Sequence, residues 1–141
     1  MEPALVGLIL DSSVIITGER QGHSVRQILE QFKTGYGETV IGLSVVTIVE
    51  LTHGIQRAKL EERRRRRQAF VDELIRDVPV HPVTVETAKL ARIEGEQAEQ
   101  GVSIAFEDLL IAATALQLGF GVATGNVRHF EHIPGLSVIQ A

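Results

Sequence analysis

Three carboxylates stand where the surrounding residues are mostly apolar. Asp11 ends the buried-looking run "VGLILD", Glu50 interrupts "SVVTIVELTHGI", and Asp108 lies near the start of "IAFEDLLIAATALQLG". An acid on an apolar segment is costly to bury alone, so each should meet a cation or a polar cleft. Each also has an ordinary explanation. Asp11 could end a strand or cap the next turn, Glu50 could look out from a rim, and Asp108 could simply complement a helix dipole. Taken together they form a set of hard oxygen ligands, which suits magnesium or manganese rather than zinc. With waters completing the shell, such a cluster fits phosphodiester hydrolysis, in which the metal activates a water and neutralises developing charge. Thr124-Gly125-Asn126 follows the apolar run "FGVAT" and adds a fourth polar element. Glu107 lies about 100° around a helix from Asp108, so the two are not expected to face one cleft.

The elements that would position these residues are legible from periodicity. Leu5 to Leu10 reads as a buried strand, and "TVIGLS", "FGVAT" and "LSVIQ" as further short strands. "VPVHPV" is proline-marked and suits an edge strand or an extended connection. "SVRQILEQFK" places Val25, Ile28, Leu29 and Phe32 on one helical face behind a Ser24 cap, with Gly35 and Gly37 breaking the helix. Ser44 can cap the helix carrying Glu50, on which Thr47, Glu50 and Gly54 share a narrow face. "LEERRRRRQAFVDELIRDV" predicts a longer helix with Phe70, Val71, Leu74 and Ile75 as its apolar stripe. A helix from Thr84 to Gly101 presents the small residues Ala88, Ala91, Gly95 and Ala98. The segment "IAFEDLLIAATALQLG" is the clearest helix, ending at Gly119, and "GNVRHF" turns into a short helix. Strands separated by helices imply parallel βα units. The expected fold class is α/β, a three-layer sandwich with a central mostly parallel sheet flanked by helices. In such sheets ligands bind at the carboxyl ends of the strands, where Asp11 and Thr124 fall.

Composition narrows the function classes. The 141 residues are 44% hydrophobic and 23% charged, which is globular, and are read as one domain over 1–141. Cysteine is absent, which excludes disulfide scaffolding and a thiolate zinc site. The first apolar run begins after Glu2 without a basic leader and is too short for a bilayer, so a soluble, cytoplasmic protein without a membrane role is expected. The net charge of −4 argues against coating nucleic acid by bulk electrostatics.

Four stretches carry a family resemblance: "LDSSVII", "LSVVTIVELTHGI", "FEDLLIAATAL" and "VATGNVRHF". In this order and spacing the chain resembles PIN-domain ribonucleases, and among them the VapC-type toxins of bacterial toxin–antitoxin pairs. The resemblance covers nearly the whole chain. It implies a magnesium- or manganese-dependent endoribonuclease, usually a homodimer, that cuts RNA and is inhibited by a cognate antitoxin protein. By position, Asp11, Glu50 and Asp108 match the family's three metal-binding acids. Asn126 matches a fourth catalytic position that is aspartate in many members; a neutral amide there can orient a water but adds no charge. Thr124 matches the family's threonine, and Ser12 is a supporting residue that would bind or position the ligand.

Positive charge is concentrated in one run, Arg63, Arg64, Arg65, Arg66 and Arg67. Five consecutive residues go fully around a helix, so no face of that turn can enter an apolar core and the segment should project from the body. Glu61 and Glu62 stand four residues ahead of Arg65 and Arg66 and can form helix-stabilising pairs. The remaining charge can touch RNA phosphates or an acidic antitoxin, or form a solvated face. His129 and His132 are three apart but lack a third zinc ligand, and His53 follows Glu50 closely enough to line a cleft. A receiver-like signalling domain fails, because Lys33, Lys59 and Lys89 do not follow a late strand. A catalytically weak PIN-like RNA-binding module and a housekeeping RNA-processing nuclease stay open beside the toxin.

Overall fold

The first strand is apolar on both faces and therefore needs cover on both. In the computed structural model, which describes residues 5–90, 92, 96, 99–101 and 103–141, that cover is present. Strand β1 (Gly7–Leu10) is fully buried. Its side chains alternate: Leu8 and Leu10 enter one core and Ile9 the other. The first core is filled by helices α1 (Ser12–Arg20), α2 (Val25–Tyr36), α3 (Val45–Arg57) and α4 (Glu61–Asp77). The second is built around α6 (Phe106–Leu118), with α5 (Val85–Lys89) packed against it. Full burial of one such aliphatic side chain is worth about 1.5–3 kcal/mol, so the β1 trio alone is a substantial anchor.

Strands β2 (Val40–Ser44), β3 (Val80–His81), β4 (Gly121–Thr124) and β5 (Val138–Gln140) complete a five-stranded sheet in the order β3-β2-β1-β4-β5. All four pairings are parallel, so the expected mostly parallel sheet is wholly parallel among the described residues. The chain moves from β1 outward to β2 and β3, then returns to β1's other edge with β4. The direction of winding thus reverses between β1 and β4, which opens a crevice above their carboxyl ends. Leu10 is paired with Ala123, so Asp11 and Thr124 emerge side by side.

Local chemistry explains the helix boundaries. Ser24 and Gln27 form a reciprocal capping box at α2, a motif worth about 1 kcal/mol. Ser44 caps α3 through the Val46 amide, and Thr84 caps α5 through Thr87. Gly119 ends α6 in the left-handed region at φ 71°, where a side chain would be strained. The remaining turn of note is a 3₁₀ helix, Val127–His129. No helix among the described residues is long and apolar enough to cross a membrane.

Several expectations shift. Gly35 lies inside α2, and the helix ends at Gly37, which has φ 66°. Ile75 was expected in the α4 stripe but is 52% exposed, and Val78 takes the buried place beside Val71 and Leu74. Ala88 is exposed, while Ala91, Gly95 and Ala98 lie outside the described residues.

Candidate active site

Asp11 is 4% exposed and is held by two hydroxyls, one from the first turn of α1 and one from the end of β4. Ser13 Oγ donates to Asp11 Oδ2 at 2.8 Å, and Thr124 Oγ1 donates to the same oxygen at 2.9 Å. The loop after β4 closes the arrangement: the Gly125 amide donates to Ser13 Oγ at 3.0 Å and the Asn126 amide to Thr124 Oγ1 at 2.9 Å. Oδ1 takes no part in these bonds and is left for a ligand. Thr124 is fully buried, so its side chain is committed to this bridge.

Glu50 comes from the middle of α3, on the face that runs from buried Thr47 to Gly54. Burial pushes its carboxyl up from the ordinary value. A hydrogen bond from Ser12 opposes that shift, and the charges of Glu107, Asp11 and Asp108 reinforce it. Asp108 comes from the first turn of α6. Its carboxyl is also pushed up, first by burial and then by the Asp11 charge, with Glu107 adding to the effect. His129 opposes this shift, its Nδ1 lying 3.0 Å from Asp108 Oδ2. The charges of Asp11 and Asp108 thus bear on Glu50, and the charge of Asp11 bears on Asp108.

The placement of the sequence-derived residues is uneven. Asp11, Glu50, Asp108 and Thr124 share one neighbourhood at the β1–β4 crevice. Among the described residues no three acids or histidines stand close enough together to hold a metal ion as they are placed. Ser12 supports Glu50, whereas the serine on Asp11 is Ser13, which the sequence reading did not single out. Asn126 is exposed, and it joins the network through its backbone amide.

Glu107 lines a hollow of about 370 Å³ together with Glu50 and His53, and Asp108 is not part of that lining. His129 was weighed only as a zinc ligand and is instead the partner of Asp108. Its place after the Thr124-Gly125-Asn126 loop was the available signal.

The arginine run does not project as expected. Arg67 Nε lies 3.1 Å from Glu19 Oε1 on α1, and Arg64 Nε donates to the Ala58 carbonyl at 2.6 Å. These residues, three apart, turn that face of α4 onto the end of α3 through polar contacts, which the absence of an apolar face does not forbid. Arg65 pairs with Glu61 at 3.5 Å, while Glu62 and Arg66 form no ion pair among the described residues.

A cleft of carboxylate oxygens can take a hard divalent cation and present it to a phosphodiester. Comparison with known proteins agrees with that chemistry. Residues 8–136 match the family model described as "PIN domain". The chain is 34% identical over 135 residues to "Ribonuclease VapC1" of Rickettsia felis, covering 95% of this chain and 96% of that one. It is 29% identical to a "tRNA(fMet)-specific endonuclease VapC" of Shigella flexneri, over 94% of this chain and 96% of that one. A crystal structure of DNA-bound VapBC from Salmonella typhimurium superposes with a TM-score of 0.80 at 26% identity, covering 96% of this chain and 98% of that chain. With a family model spanning nearly its whole length and a relative above 30% identity along it, the chain belongs to the PIN-domain family.

Proposed function

We propose that this chain is a metal-dependent endoribonuclease, the toxin of a type II toxin–antitoxin pair. It would act on RNA in the cytoplasm and be held in check by a cognate antitoxin. The observation that carries this reading is the bearing of the Asp11 and Asp108 charges on Glu50, and of the Asp11 charge on Asp108, acids that come from three separate elements. The names of its PIN-domain relatives, ribonucleases and VapBC complexes, support it.

The donor set fits magnesium, with manganese the alternative, because all three ligands would be hard oxygens and two of the carboxyls are pushed up by burial and by neighbouring negative charge, which a cation would offset. Asp11, Glu50 and Asp108 would hold the ion, whose chemistry is to activate a water and offset charge on the phosphorus transition state. The protein's own work is positioning. Ser13 and Thr124 hold Asp11 Oδ2 and leave Oδ1 outside those two bonds. His129 restrains Asp108 Oδ2 from 3.0 Å, and Ser12 favours the ionised form of Glu50. Asn126 would orient the attacking water. The homodimer belongs to the same proposal, supported by the exposed apolar side chains Val49, Val85 and Phe106, and sedimentation velocity reads it.

The test is cleavage of single-stranded RNA by the purified protein with magnesium, with manganese and with excess EDTA. Cleavage confined to the metal arms is expected. Full cleavage in EDTA removes the mechanism. The exposed, neutral Asn126 favours a second reading, an RNA-binding module without turnover, and RNA binding with no cleavage in either metal selects it.

A further inference from the structure

The hollow beside Glu50 is lined by charges of both signs, Glu50 and Glu107 together with Arg20, Arg57 and Arg67. A second hollow, of about 420 Å³, continues outward between the ends of α3 and α4. Gly54, Arg57 and Arg67 line both, so the two form one path. Lys59 and Arg63 join the lining of the outer hollow.

The cations along this path are not equivalent. Arg67 is spent on Glu19 and reaches the Gly54 carbonyl at 3.5 Å, which makes it part of the floor. Arg57 lies against His53, with Nη2 3.3 Å from Nδ1. Among the described residues Arg20, Arg57, Lys59 and Arg63 have no carboxylate partner within salt-bridge distance, although 18 acids are available in the chain. Positive charge left unpaired in a protein of net charge −4, beside a cluster of acids, calls for an anionic occupant.

We infer that this α3–α4 path is the track for the RNA backbone on one side of the scissile phosphate, with Arg57, Lys59 and Arg63 contacting consecutive phosphates and Arg20 standing at its inner end. The inference rests on the ribonuclease reading and adds to it where the substrate leaves the cleft. The acidic centre repels a polyanion, so phosphates flanking the cut need cations next to that centre, and this path supplies them contiguously. It also divides the arginine run. Arg63 belongs to the track, Arg64 and Arg67 to the scaffold, and Arg65 and Arg66 to neither.

The experiment is fluorescence anisotropy of a labelled single-stranded oligoribonucleotide in excess EDTA, which measures binding apart from cleavage. The track variant is Arg57→Gln/Lys59→Gln/Arg63→Gln. The control, Arg26→Gln/Arg65→Gln/Arg66→Gln, removes the same charge elsewhere, and matched circular dichroism melts establish that both fold. The track variant should bind at least roughly tenfold more weakly, with a log K against log salt slope shallower by about 2, from about 0.7 per phosphate contact. The control should stay within about twofold. Equal losses in both variants, or no loss in the track variant, overturn the inference. So does unchanged RNA affinity with lost affinity for a polyglutamate peptide, which would assign the path to an acidic protein segment. Wild-type cleavage of the same RNA in magnesium is scored separately, so a failed track and a failed ribonuclease reading give different results.

Discussion

The acidic cleft and the arginine-rich end of α4 are opposite ways of placing like charges together. The cleft draws Asp11, Glu50 and Asp108 from positions far apart in the chain, and the fold buries Asp11 and leaves Glu50 and Asp108 partly buried with their carboxyls pushed up. The arginines are contiguous in the chain, and the helix disperses them. Arg63, Arg65 and Arg66 are exposed, and only Arg64 and Arg67 turn inward. Charge that is dense in sequence is thus dilute in space, whereas charge that is scattered in sequence is concentrated at the sheet edge. Burial and like charge together push up Glu50 and Asp108, which marks the end of the sheet where the proposed site lies. A long cationic run marks a surface, with its structural and binding roles divided residue by residue.

The sharpest break in that comparison is the removal of one acid. Asp11→Asn, Glu50→Gln or Asp108→Asn should each lower RNA turnover by about a hundredfold or more, since each would withdraw a ligand of the proposed cation. Asn126→Ala should cost about tenfold or less in the same assay. Similar losses for all four would move Asn126 to the centre of the site.

The supporting hydroxyls come next. Thr124→Val keeps the shape of a fully buried side chain but removes the donor to Asp11 and the acceptor for the Asn126 amide. It should destabilise the fold by about 1–3 kcal/mol in urea titration. Ser13→Ala should reduce turnover more than Ser12→Ala if Asp11 is the better-ordered ligand. The reverse order would make Glu50 the position most sensitive to support.

The raised carboxyls can be measured without activity. Glu50 and Asp108 are raised in the folded state, so their stabilising contribution is complete below the unfolded values, near pH 4. That contribution is lost as pH rises through the folded values. In chelator, Asp108→Asn should therefore melt no lower than wild type at about pH 7 and fall less between about pH 5 and 7. Its gain in Tm from magnesium should be smaller, because the ion binds only the folded state. A variant that melts much lower in chelator and gains as much from magnesium would make Asp108 a helix cap.

The smallest effects belong to the arginines. Arg67→Gln breaks a pair whose members are 33% and 22% exposed and should cost about 1 kcal/mol. Arg65→Gln/Arg66→Gln should change stability by no more than about 0.5 kcal/mol. Equal costs would mean that the run acts as one charged block after all.

Much of this was legible before any coordinates. The strand β1, the capped helices α2 and α3, the edge strand β3 and the Gly119 stop follow from local rules, because periodicity, capping hydroxyls and left-handed glycines act within a few residues. Local rules also exposed the acids, since a carboxylate in an apolar run is conspicuous wherever the chain goes. What they could not supply was distance. That Ser13 rather than Ser12 holds Asp11, that His129 meets Asp108, and that Glu107 joins Glu50 depend on the β1–β4 pairing and on the packing of α3 against α6. The fate of the arginines was likewise tertiary. A helical wheel states that Arg64 and Arg67 share a face, but only the docking of α4 on α3 and α1 decides that this face is covered. Side-chain type and order determined which groups could do chemistry; the parallel sheet decided which of them meet, because bringing remote residues together is work that only long-range packing performs.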